Sequence, residues 1–93
     1  MYAVFVEVNG GESHTEAGRK ELNEIAVPTL RRAGAKAAFR LAPQGGRGLS
    51  VAVFGTEEAA LKASEGMKVG EQAGGEQGVT IKTVEVREVI ASL

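Results

Sequence analysis

Ninety-three residues make one domain, 1–93, that can bury only roughly 60 to 65% of its unfolded surface. Eleven Lys plus Arg against twelve Asp plus Glu give a net charge of -1 with the signs interspersed, which argues against a nucleic-acid footprint or a polybasic membrane anchor. There is no cysteine, so disulfides, thiolate metal sites and a Cys nucleophile are excluded, and with neither a leader-like opening nor a run of about 18 apolar residues the expected setting is soluble and cytoplasmic.

The first predicted element is a strand from Tyr2 to Val8, with Tyr2, Val4, Val6 and Val8 on one face and Ala3, Phe5 and Glu7 on the other. Asn9-Gly10-Gly11 ends it. Ser13-His14-Thr15-Glu16 then reads as a capping box that starts a helix. Its apolar stripe runs through Leu22, Ile25, Ala26, Thr29, Leu30 and Ala33. Pro28 falls inside that stripe and predicts a kink or break near Glu24, and Gly34 is the expected C-terminal cap.

Two alternating strands follow, Ala35 to Ala42 and Leu49 to Phe54, joined by Pro43-Gln44-Gly45-Gly46-Arg47-Gly48 as a hairpin connection. Gly55-Thr56-Glu57-Glu58 supplies an N-cap and two first-turn carboxylates for an Ala-rich second helix through Met67. The glycines from Gly66 to Gly78 predict a mobile connection with a helical turn near Met67 to Val69. In the last predicted strand, Val79 to Ile90, the apolar parity switches from Val79 and Ile81 to Val84 and Val86. A bulge near Thr83 or a change of packing partner would explain the switch.

Strand, helix, strand, strand, helix, strand is the order of a ferredoxin-like α+β fold, βαββαβ, in which two helices back one four-stranded antiparallel sheet. Helices cover one face of such a sheet, whereas Phe5, Ala52, Phe54, Val84 and Val86 fall on the parity opposite to the expected helix-facing set. A second copy is the simplest cover. The expected assembly is therefore a homodimer packed sheet to sheet.

Four segments carry a family resemblance: the opening Met1-Tyr2-Ala3-Val4-Phe5-Val6, the helix ending Val27-Pro28-Thr29-Leu30, the run Leu49-Ser50-Val51-Ala52-Val53-Phe54-Gly55-Thr56-Glu57-Glu58-Ala59-Ala60, and the closing Val84-Glu85-Val86-Arg87-Glu88-Val89. Over essentially the whole chain they resemble the antibiotic biosynthesis monooxygenase family of the dimeric α/β-barrel superfamily. The resemblance implies a dimeric α/β barrel with a cavity between sheet and helices or in the barrel lumen. Some members oxidise polycyclic quinols with O₂ without metal or flavin, and others degrade haem. The quinol-oxidising members lean on Trp, Tyr, Asn and Arg, but this chain has no Trp and one Tyr. The haem-degrading members use a His on the second helix, where this chain has none.

Tyr2, Phe5, Glu7, Asn9, His14, Arg40 and Phe54 are the candidate cavity-lining residues. His14, the single histidine, falls in the first turn of a helix, where an exposed side chain suffices, although His is also a common acid, base and ligand. Asn9 precedes Gly-Gly as a turn former would, and it also lies near the position of a functional Asn in some haem-degrading relatives. Glu7 and Arg40, on strands with apolar neighbours, predict a mutual salt bridge or one including Lys82. Tyr2 is either a core residue or a hydrogen-bond donor in a pocket. No H-E-x-x-H spacing, G-x-S-x-G elbow or Walker loop occurs, and neither a metal nor a cofactor is expected.

Two readings of function follow. One is a dimeric module that binds a small hydrophobic or aromatic compound or serves assembly. The alternative is a cofactor-independent monooxygenase-like enzyme acting on a planar quinol-type metabolite, with Tyr2, Asn9, His14 and Arg40 as its proton-handling or orienting groups. Four aromatics and one histidine favour the first.

Overall fold

Alternating apolar side chains make the N-terminal segment the centre of a sheet. Strand β1 (Tyr2–Asn9) buries Val4, Val6 and Val8 on one face and pairs on both edges. In this computed structural model, which describes residues 1–10, 20, 23–24, 27–71 and 79–93, the other strands are β2 (Ala35–Gln44), β3 (Arg47–Phe54) and β4 (Thr80–Glu88). Their order is β2-β3-β1-β4 with every neighbouring pair antiparallel. With helices α1 (Val27–Arg32) and α2 (Glu57–Glu65), this is an α+β arrangement compatible with a ferredoxin-like plait. The expected capping box at Ser13 to Glu16, His14 within it, and Leu22, Ile25 and Ala26 of the stripe lie outside the described residues.

The helices share one face of the sheet. Leu30 of α1 and Ala59, Ala60 and Ala63 of α2 pack on a cluster formed by Val4, Val6, Val8, Ala52, Phe54, Val79 and Ile81. Pro28 sits in the first turn of α1, where its missing N–H costs nothing. Asn23 and Glu24 upstream have π-helical geometry, and the residues that flank them, where the kink or break near Glu24 would be read, lie outside the described residues. Gly34, at φ 98°, ends the helix as a left-handed cap. Helix α2 starts where its sequence says it should, with the Thr56 hydroxyl accepting a hydrogen bond from the Ala59 N–H at 3.2 Å.

Four expectations are corrected. The hairpin connection is not six residues: β2 runs through Gln44 and β3 begins at Arg47, leaving Gly45 and Gly46 at φ 61° and 75°. Two successive positive φ values give a two-residue turn of the mirror-image type, which matches the twist of the flanking strands. The second helix does not reach Met67 but ends at Glu65. The chain beyond it leaves helical geometry because Gly70 donates to the Ile81 carbonyl at 2.8 Å and Ile81 donates to the Glu71 carbonyl at 2.9 Å.

The third correction concerns β3. The register Tyr2↔Phe54 and Val4↔Ala52 places Phe54 and Ala52 on the helix side, leaving Leu49, Val51 and Val53 on the other face. Leu49, Val51 and Val53 form a wholly apolar set while the opposite set mixes Ser50 with Ala52 and Phe54, so parity alone pointed the strand the wrong way round. The fourth concerns β4. Its pairing with β1 shifts between Glu7↔Thr83 and Val8↔Ile81, making Lys82 the extra residue of a bulge close to the predicted Thr83. That insertion restores parity, so Ile81, Val84 and Val86 all join the helix-side core rather than dividing between the faces.

Candidate functional site

The helix-free face of the sheet is where the sequence and the fold disagree about burial. Cross-strand pairing orders it in rows from β2 to β4: Ala37, Val53, Ala3 and Arg87; Phe39, Val51, Phe5 and Glu85; Leu41, Leu49, Glu7 and Thr83. The β2 and β3 half is apolar throughout, while β4 contributes polar groups. Phe39 is 65% exposed and Leu41 55%, although each has the pattern of a residue built to be covered.

Glu7 lies at the border between the two halves, and its side chain keeps only 12% of its surface exposed. Arg47, reaching from the start of β3, donates from Nε to Glu7 Oε2. The Thr83 hydroxyl donates to Oε1 at 3.4 Å, and Lys82 Nζ stands 3.9 Å from Oε2. The bulge is what brings Lys82 here, beside a carboxylate on the neighbouring strand. The hydrogen bond from Arg47 holds the Glu7 carboxyl below the ordinary carboxylate range against the opposing effect of burial, with the charges of Arg47 and Lys82 and the Thr83 hydroxyl adding to the depression. Nearer the other end of β4, Arg87 donates to Glu85 at 2.7 Å.

The predicted site residues divide between places. Phe5 and Glu7 share the open face. Asn9 is exposed at the end of β1, on that same face but at the rim. Tyr2 packs against the helix-side cluster, with its phenol beside Glu88 and Glu57, whose negative charges push its pKa above the ordinary tyrosine value. Phe54 is fully buried in the same cluster. Arg40, opposite Ser50, also lies on the helix side, so the partner of Glu7 is Arg47, with Lys82 as anticipated and not Arg40. Tyr2 and Asn9 are the two ends of β1, roughly 23 Å apart at ~3.3 Å per residue. Tyr2 and Arg40 therefore lie on the helix side and Asn9 at the rim of the open face, while His14 lies outside the described residues.

Arg47 was missed because the segment around it reads as a turn. The signal was the Gly45-Gly46 pair itself. A two-residue turn there makes Arg47 a strand residue on the same face as Leu49 and therefore a neighbour of Glu7. On the other side of the molecule, a shallow open depression is lined by Glu57, Glu58, Leu61, Lys62 and Glu65, all exposed, and takes in none of the candidate residues. Among the described residues no three His, Cys, Asp or Glu side chains group to hold a metal ion, and no helix is long and apolar enough to cross a membrane.

No family model, curated protein or solved structure matches the chain. The likeness to the monooxygenase family therefore rests on the sequence segments alone.

Proposed function

We propose that the chain is a self-associating binding module: two copies pair through their open sheet faces as a dimeric α/β barrel and shelter a small hydrophobic or aromatic compound between them. The exposed apolar half of that face, centred on Phe39 and Leu41, carries this reading. Four strands about 4.8 Å apart, each of eight or more residues, span roughly 19 by 26 Å. That is about 500 Å² in projection, of the same order as the ~800 Å² of accessible surface each partner gives to a stable interface. Among the described residues the helix-side core is closely packed, with Val4, Phe54 and Val79 at nearly complete burial, which favours the open face as the place for the compound.

Sedimentation equilibrium of the wild type and of Phe39→Glu tests the reading. The wild type should be a dimer at micromolar concentration and the variant a folded monomer, with circular dichroism reporting the fold. A monomeric wild type, or a variant that dimerises equally well, defeats the reading.

A further inference from the structure

We infer that the compound held on this face is a small amphipathic anion in free solution, with an apolar body that lies on the β2 and β3 half and one carboxylate or comparable group that seats against Arg47 and Lys82. The inference deepens the binding reading above and relies on the pairing of copies for enclosure, but not for its charges.

Among the described residues, the three rows of the open face with Arg47 and the β4 bulge hold two carboxylates, Glu7 and Glu85, and three cations, Arg47, Lys82 and Arg87, while Lys36 sits apart at a second irregularity in β2. Glu85 and Arg87 answer one another. Glu7 stands alone between Arg47 and Lys82, so the island carries one positive charge in excess. Arg47 meets Glu7 through Nε, one of five N–H donors in a guanidinium, and a fork of this shape suits a second carboxylate. Both cationic side chains are more than half exposed, at 57% and 55%, whereas Glu7 is nearly covered. An arriving molecule therefore meets the positive groups first.

The apolar half begins where the island ends, since Leu49 pairs directly with Glu7 and continues into Leu41, Val51 and Phe39. Covering this face withdraws water from an unbalanced positive charge, which is costly unless an anion replaces the water. A neutral occupant leaves that cost in place, and a cationic one raises it.

The test is isothermal titration calorimetry with three ligands that share one ring system: naphthoate, naphthalenemethanol and naphthylmethylammonium. Naphthoate should bind roughly 10- to 100-fold more tightly than the alcohol, the fold-change of one charge-assisted hydrogen bond, and the ammonium most weakly. The preference should weaken with added salt. Arg47→Gln and Lys82→Gln should each shrink it by about tenfold, while Arg47→Lys keeps most of it, with circular dichroism confirming that each variant is folded. Equal binding of the three ligands, or a preference unmoved by both glutamine variants, overturns the inference. So does binding only to phosphatidylserine vesicles, which would assign the charge to a membrane surface.

Sedimentation of the same samples separates the two readings. A dimer without anion preference defeats this inference and leaves the pairing intact. A monomer that shows the Arg47-dependent preference defeats the pairing and upholds the anion site.

Discussion

Phe54 and Phe39 occupy opposite faces of neighbouring strands, and truncating each to alanine separates the two hydrophobic surfaces of the sheet. Phe54 is fully buried beneath the helices. Its loss removes about 1.5 to 3 kcal/mol of transfer free energy. At ~24 cal/mol per Å³, a residual cavity of roughly 50 to 100 Å³ adds about 1 to 2 kcal/mol, so Phe54→Ala should cost about 3 to 5 kcal/mol. At ~4 to 8 °C per kcal/mol for a domain of this size, Tm should fall by roughly 12 to 40 °C at any protein concentration. Phe39, 65% exposed, should cost a single folded chain no more than about 0.5 kcal/mol. In the proposed dimer the rest of its surface is covered in both copies. Its removal should then cost about 2 to 4 kcal/mol per dimer, which weakens association about 30- to 1000-fold. Urea unfolding at two widely separated protein concentrations, with sedimentation, reads both effects. A loss below about 1 kcal/mol for Phe54→Ala would refute the β1–β3 register, and an unchanged dissociation constant for Phe39→Ala would refute the pairing.

Gly48 is buried, and a Cβ there would meet Val8 Cγ2 at 2.8 Å. Val8 is itself buried and has little room to retreat, so Gly48→Ala should destabilise by about 1 to 3 kcal/mol in urea unfolding, and wild-type stability would contradict the packing of β3 on β1. Thr56→Ala should cost about 1 kcal/mol by removing the cap of α2, while Thr56→Ser retains it; thermal melts that rank the two alike would deny the cap. Glu7 has its carboxyl pKa lowered in the folded state, chiefly by Arg47, so its contribution is present above the ordinary carboxylate range and is lost as pH falls through the depressed value. Glu7→Gln should flatten the acid limb of a stability-versus-pH curve, and an unaltered limb would remove Glu7 from that role.

What sequence reasoning reached, it reached through local rules. The strand and helix order, the Thr56 cap, the Gly34 cap and the bulge beside Thr83 each follow from a few neighbouring residues, and all are present. Facing was harder. In β3 the set Leu49, Val51 and Val53 is apolar and the set Ser50, Ala52 and Phe54 is nearly so, so alternation identifies a strand without deciding which set meets the helices. Only the long-range pairs Tyr2↔Phe54 and Val4↔Ala52 decide it. The polar island is non-local for the same reason. Glu7, Arg47 and Lys82 come from three strands, and their meeting depends on a two-residue turn and a one-residue insertion. A six-residue connection in place of the Gly45-Gly46 turn moved Arg47 out of the sheet and left Arg40 as the nearer candidate partner.

The uneven split of the open face sets how two copies would meet. Its β2 and β3 half offers Phe39, Leu41, Leu49, Val51 and Val53, whereas its β4 edge offers Thr83, Glu85 and Arg87. A two-fold axis brings the same patch of each copy together, and burial favours placing the apolar half at the axis with the β4 edge in the wet rim. Energetic anchors of such interfaces are central and desolvated, and rim charges contribute little. Phe39 would then be the anchor and the Glu85–Arg87 pair a bystander. Glu7 and Arg47 fall on the boundary, where covering begins but water still reaches the guanidinium. A carboxylate placed there keeps part of its hydration while its apolar body enters the centre, so the charge is held at the boundary and the body shares the apolar half with the pairing of the two copies.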